Sequence, residues 1–140
     1  METDNVISLI SKIRAKSNKL IVREMARRNI KGLVTSHGDI LFALFQKRTL
    51  TMKEIADKIE KDKSTVTVLI NKLIAHGYVQ KEKDAFDNRI ILVALSDKGK
   101  KLKTDFDDIS QKLLSVVYQG ISEEEKKMLA AVLQKMDHNF

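Results

Sequence analysis

Apolar residues recur along this chain at two different periods, and the places where the period changes divide it into elements. Val6, Ile7, Leu9, Ile10 and Ile13, then Leu20, Ile21 and Met25, fall at helical spacing. They predict a long amphipathic helix ending between Asn29 and Gly32. Ile40, Leu41, Leu44 and Phe45 predict a short second helix, capped by Thr35 or Ser36. Thr51-Met-Lys-Glu54 has the form of a capping box, in which a hydroxyl and a carboxylate satisfy each other's backbone donors. It opens a third helix whose Ile55, Ala56 and Ile59 face inward. A fourth begins at Asp62 or Lys63, with Val66, Leu69, Ile70 and Leu73 at the spacing of one helical face.

Beyond His76-Gly77, where the glycine is placed to end a helix, the period shortens. Tyr78 to Lys83 and Arg89 to Leu95 predict two strands joined by the polar loop Asp84-Ala-Phe-Asp-Asn88. The second strand is apolar on both faces and belongs under cover rather than at an open edge. Ser96 then caps a long helix carrying Leu102, Phe106, Ile109, Leu113 and Val116 or Val117. Ser122-Glu-Glu-Glu125 is a second capping box, and the last helix carries Met128, Leu129, Val132, Leu133 and Met136. The fold class expected is mainly α with a small β-hairpin wing: a winged helix-turn-helix flanked by long N- and C-terminal helices. The apolar stripes of those outer helices exceed what one small lobe can bury, and a second copy of the chain covers them most simply. The division expected is a dimerisation helix over 1–34, a winged lobe over 35–96 and C-terminal dimerisation helices over 97–140.

Composition narrows the functions. The 140 residues carry a net charge of +7 with a pI near 9.6, which favours an anionic partner, nucleic acid before membrane. The excess is uneven: residues 1–31 hold eight basic and three acidic side chains, whereas the tail from Asp97 is neutral. The absence of cysteine removes disulfides, thiolate metal sites and thiol redox sensing. No apolar run approaches a membrane span and Met1 to Asn5 is too polar to open a signal peptide, so a cytoplasmic chain without membrane contact is expected. His37, His76 and His138 lie far apart with no acidic partner at ligand spacing. No Gly-rich phosphate loop follows a strand. No metal, no cofactor and no enzyme activity are expected.

Two stretches carry candidate chemistry. Lys61, Lys63, Ser64, Thr65 and Thr67 occupy the front of the fourth helix, with Asn71 and Lys72 further along. The leading turns of a helix in the major groove present such groups to phosphates and base edges. In isolation, a solvated helix face with a Ser/Thr cap looks the same. The loop between the strands changes the weighing. Asp87-Asn-Arg89 puts an arginine at the tip of the hairpin, suited to a narrow electronegative minor groove, with Asp87 two residues away to hold the guanidinium. Lys81 and Lys83 extend the basic surface.

Leu50-Thr-Met-Lys-Glu-Ile-Ala56, Ser64-Thr-Val-Thr67, His76-Gly-Tyr-Val79, Asp87-Asn-Arg89 and Leu95-Ser-Asp-Lys-Gly99 together resemble the multiple antibiotic resistance regulator (MarR) family. The resemblance covers about fifty residues in order. It implies an obligate homodimer with interlocked first and last helices, and two lobes reading a palindromic operator in double-stranded DNA, usually as a repressor. Ser64, Thr65 and Thr67 would then contact DNA from the recognition helix, and Arg89, oriented by Asp87, from the minor groove. Val68 and Asn88 stand where many members carry arginine, and the basic first helix would offset part of that loss if Arg23, Arg27 or Arg28 reaches the DNA backbone. The resemblance also implies a small aromatic effector in a crevice drawing on Met25, His37, Phe42 and Phe45. The rival reading is a winged-helix protein-interaction module without sequence-specific DNA binding.

Overall fold

The computed structural model describes residues 2–140; Met1, part of the expectation about a signal peptide, lies outside them. Helix α1 spans Val6–Arg27 and closes through Asn29, whose φ of 60° lets the chain turn out of the helix. Helix α2 covers Thr35–Gln46, α3 Met52–Ile59 and α4 Lys63–Ala75. Strands β2 (Val79–Lys83) and β3 (Ile91–Leu95) form the expected hairpin. A four-residue turn of helix, α5 (Asp97–Lys100), is separated from α6 (Leu102–Val117) only at Lys101, and α7 (Glu123–His138) follows.

The expected caps form at most helix starts. Thr51 Oγ1 accepts from Glu54 N at 3.1 Å while Glu54 Oε1 accepts from Thr51 N at 3.0 Å. Ser122 and Glu125 repeat the pattern at 3.1 and 3.0 Å. Helix α4 ends in a Schellman motif: Tyr78 N donates to Leu73 O and Gly77 N to Ile74 O, with Gly77 at φ 79°. The cap of α2 differs from expectation. Neither Thr35 nor Ser36 caps it; Val34 is the capping residue, and its N–H donates to His37 Nδ1 at 2.9 Å. A ring nitrogen reaching back three residues leaves both hydroxyl residues inside the first turn.

The sheet also holds one strand more than the hairpin. Thr49–Thr51 forms β1, antiparallel to β3, so the order is β1-β3-β2. Three residues are too few to show a period, and only pairing with β3 makes them a strand. The central place of β3 explains why it is apolar on both faces, as Val93, Ala94 and Leu95 are all buried. Leu50, Val79 and Val93 share the face that packs on the helices, beside Ile40, Leu41, Leu44, Ile55, Val66, Ile70 and Leu73. Phe106 and Ile109 of α6 close this core from the other side.

The outer helices stay largely open in a single chain. In α1 only Leu20, Glu24 and Met25 are buried, and in α7 nothing is. Ile7, Ile10, Ile13, Val116, Met128 and Leu129 are all exposed. No helix among the described residues is long and apolar enough to cross a membrane.

Candidate nucleic-acid interface

Helix α4 is two-faced for a structural reason. Val66, Leu69, Ile70 and Leu73 are buried, whereas Lys61, Lys63, Ser64, Thr65, Thr67, Asn71 and Lys72 are all exposed. Ser64, Val68, Asn71 and Lys72 recur at three- and four-residue spacing, which places them along one open face. Val68 adds an apolar patch there, 69% exposed. The start of the helix is fixed by Asp62, whose Oδ1 accepts from Thr65 N at 2.7 Å and from Ser64 Oγ at 3.0 Å. The backbone donor of Thr65, followed by the hydroxyl contacts, holds the Asp62 carboxyl below its usual range. Thr67 Oγ1 donates to Lys63 O at 2.9 Å. The Ser64 and Thr67 hydroxyl protons are therefore engaged within the helix and must rotate to donate outward.

The wing is built around two carboxylates with separate tasks. Asp84 Oδ2 accepts from Phe86 N and Asp87 N, both at 3.0 Å, and folds the loop. Asp87 Oδ1 accepts from Arg89 N and Nε, and Oδ2 from Arg89 Nη2, each at 3.0 Å. This paired contact lowers the Asp87 pKa and raises that of Arg89. The Arg89 side chain nevertheless stays 91% exposed. The expected pairing is present, but by another geometry: Asp87 to Arg89 form a turn, not an extended strand in which alternate residues share a side. Lys81 and Lys83 are exposed on the helix-facing side of β2, in register with Val93 and Ile91.

The helix and wing share one rigid support. Lys98 Nζ donates to His76 O at 2.8 Å and lies 4.7 Å from the Tyr78 ring centre, while the His76 and Tyr78 rings stack at 6.1 Å. A methyl at Gly99 would stand 2.0 Å from Tyr78 O, so only glycine lets α5 approach the end of α4 this closely.

Residues 35–91 match the model of the MarR family. These residues form a MarR-family domain. Among its relatives is the HTH-type transcriptional regulator YdgJ of Bacillus subtilis, 26% identical over 78% of this chain and 66% of that protein, so the chain spans about two thirds of its length. A MarR transcriptional regulator from Methanosarcina mazei shares the fold with a TM-score of 0.84 at 23% identity, over 98% of this chain and 96% of that one. A cysteine-to-serine variant of MarR from E. coli in complex with operator DNA is also similar, with a TM-score of 0.82 at 18% identity, covering 97% and 99%. These relatives are transcriptional regulators, not enzymes.

Two readings made from the sequence meet a different arrangement. Arg27 and Arg28, considered for backbone contact with DNA, lie 3.3 and 3.8 Å from the buried Glu24 carboxylate, and Arg28 also lies 3.7 Å from Asp105. Lys112 reaches the same carboxylate and, with the two arginines, keeps Glu24 ionised despite burial. Of the four residues considered for an effector crevice, Phe42 and Phe45 meet edge to face at 6.0 Å and both pack on Phe106. Met25 is fully buried, and His37 is buried with its Nδ1 engaged in the α2 cap. Phe42 meets Phe106 at 5.7 Å beside a crevice between α1, α2 and α6 of only about 40 Å³. Phe45 lines a separate depression of about 490 Å³ on the outer face of the sheet with Arg48, Gln80 and Lys100. The burial of Glu24 beside Lys112 and the fit of Gly99 against Tyr78 depend on what the fold places there, whereas Asp84 folds its loop through donors two and three residues away.

Proposed function

We propose that this chain, with its MarR-family domain, is a sequence-specific DNA-binding transcriptional regulator that works as a homodimer and represses from a palindromic operator. The observation that carries the reading is the Arg89 guanidinium, presented to solvent and held at two points by Asp87 beside the lysine-flanked, hydroxyl-bearing face of α4. An arginine fixed in advance loses little freedom when it enters a groove. In this reading Lys61, Lys63, Ser64, Thr65, Thr67, Asn71 and Lys72 meet the major groove, and Asp87 and Arg89 serve the minor groove. The MarR variant solved with operator DNA supports it at the level of shared fold. The exposed apolar faces of α1, α6 and α7 support the dimer, which would set two recognition helices roughly 34 Å apart.

Release by an aromatic ligand has weaker support. The crevice between α1, α2 and α6 must open before it admits a ring. A protein-interaction module is not favoured, since it has no use for a basic tip with a clamped arginine. Mobility shifts with DNA from upstream of the coding region, across a salt series with unrelated competitor, test the proposal. Discrete, competitor-resistant complexes whose affinity falls steeply with salt are expected. Diffuse retention that competitor removes would overturn sequence-specific regulation.

A further inference from the structure

Phe86 is 98% exposed at the tip of the wing. It makes no part of the hydrophobic core, so its ring contributes nothing to packing. Its backbone is nonetheless held in place, because Asp84 accepts from its N–H at 3.0 Å and the loop is closed by Asp84 N to Ile90 O and Ile90 N to Asp87 O, also at 3.0 Å. The same closed loop presents Arg89, with Lys83 at its base. The two carboxylates of the loop, Asp84 and Asp87, are occupied by donors of the loop itself, and Glu82 lies on the opposite face of β2 from Lys81 and Lys83. What faces outward is therefore an aromatic ring among cations.

That combination fits a polyanion with an apolar interior surface. The minor groove is such a surface: phosphates line its rims, while sugar faces and base steps form its walls. Apolar side chains inserted there part base steps and bend the duplex. We propose that Phe86 is a further DNA-contacting residue, an apolar wedge that enters the minor groove beside Arg89. The assignment rests on the DNA-binding reading and adds a second kind of specificity to it. Arg89 responds to groove width and potential, whereas a wedge favours steps that unstack easily, such as pyrimidine–purine steps.

The chain has no tryptophan, so Phe86→Trp introduces a single fluorescent reporter at the tip. On the DNA fragment that wild type retains against competitor, its emission is expected to be quenched and shielded from acrylamide. Phe86→Ala is expected to keep the thermal unfolding curve of wild type and to weaken binding by roughly tenfold or more at every salt concentration. Its salt slope should match wild type, because no charge is lost, whereas Arg89→Gln should lower that slope by about two, one for each protomer's arginine. A tryptophan that stays open to acrylamide in the complex, or Phe86→Ala binding as tightly as wild type, would overturn the wedge and leave the regulator standing. Shielding that follows protein concentration without DNA would assign the ring to a second copy and also overturn it. If wild type forms no competitor-resistant complex, the regulator reading fails and the wedge fails with it.

Discussion

Arg89 and Asp87 are both at the surface, where a single ion pair adds little stability, so their three contacts matter mainly for aim. Arg89→Ala is expected to weaken operator binding by about 1–3 kcal/mol while leaving the unfolding curve in place. Anisotropy titrations checked by circular dichroism measure both, and unchanged affinity would remove the wing from the interface. Glu54 is tied to stability instead. The Lys47 ammonium, then the Thr51 backbone N–H, hold its pKa at about 2, below the ordinary value of 4.5. The folded state thus binds fewer protons than the unfolded chain between those values. The contribution is present above about pH 4.5 and is lost as pH falls toward about 2. The gap in Tm between wild type and Glu54→Gln should accordingly narrow on acidification across that window.

Among the elements, α2 carries its own pH dependence. His37 Nδ1 must be unprotonated to accept from Val34 N. Burial, then the Lys72 charge, push the His37 pKa below its usual 6.5, with His76 adding to the effect. The unfolded chain therefore takes up the proton first, and stability present above about pH 6.5 is lost as pH falls through the lowered value. His37→Gln, which keeps an acceptor but does not titrate, should flatten the Tm profile between about pH 7.5 and 5. The junction of α4 and α5 is limited by space. Gly99→Ala drives a methyl into the Tyr78 carbonyl and is expected to destabilise by about 1–3 kcal/mol or more, read from denaturant midpoints.

At the scale of the whole molecule the proposed dimer can be tested. Helix α7 has no buried residue, and Met128, Leu129, Val132 and Leu133 line it with apolar surface at 38–66% exposure. Surface of that extent calls for a partner. Leu129→Glu is expected to shift sedimentation from dimer towards monomer and to abolish operator binding at the same time. Removing Asp105 to Phe140 should leave an insoluble or unfolded chain, because Phe106 and Ile109 leave the core along with the outer helices. A soluble, folded monomer from that truncation would contradict the interlocked dimer.

Local chemistry in the sequence was enough for the helices, apart from the break between α5 and α6 at Lys101, and for both wing strands. Their signals are periodicity and capping within a few residues: Thr51 with Glu54, Ser122 with Glu125, Gly77 after α4. The pairing of Asp87 with Arg89 was legible for the same reason, being two residues apart. Contacts between distant segments were not. Strand β1 exists only because β3 pairs with it, and the burial of His37 at the start of α2 is set by the packing around it. The pairing of Arg27 and Arg28 with Glu24 is local, but the third cation there, Lys112, comes from α6. Backbone propensity and hydrophobic period act over one or two turns and are written in sequence order. Burial, charge pairing and steric fit depend on which segments meet, and folding alone decides that.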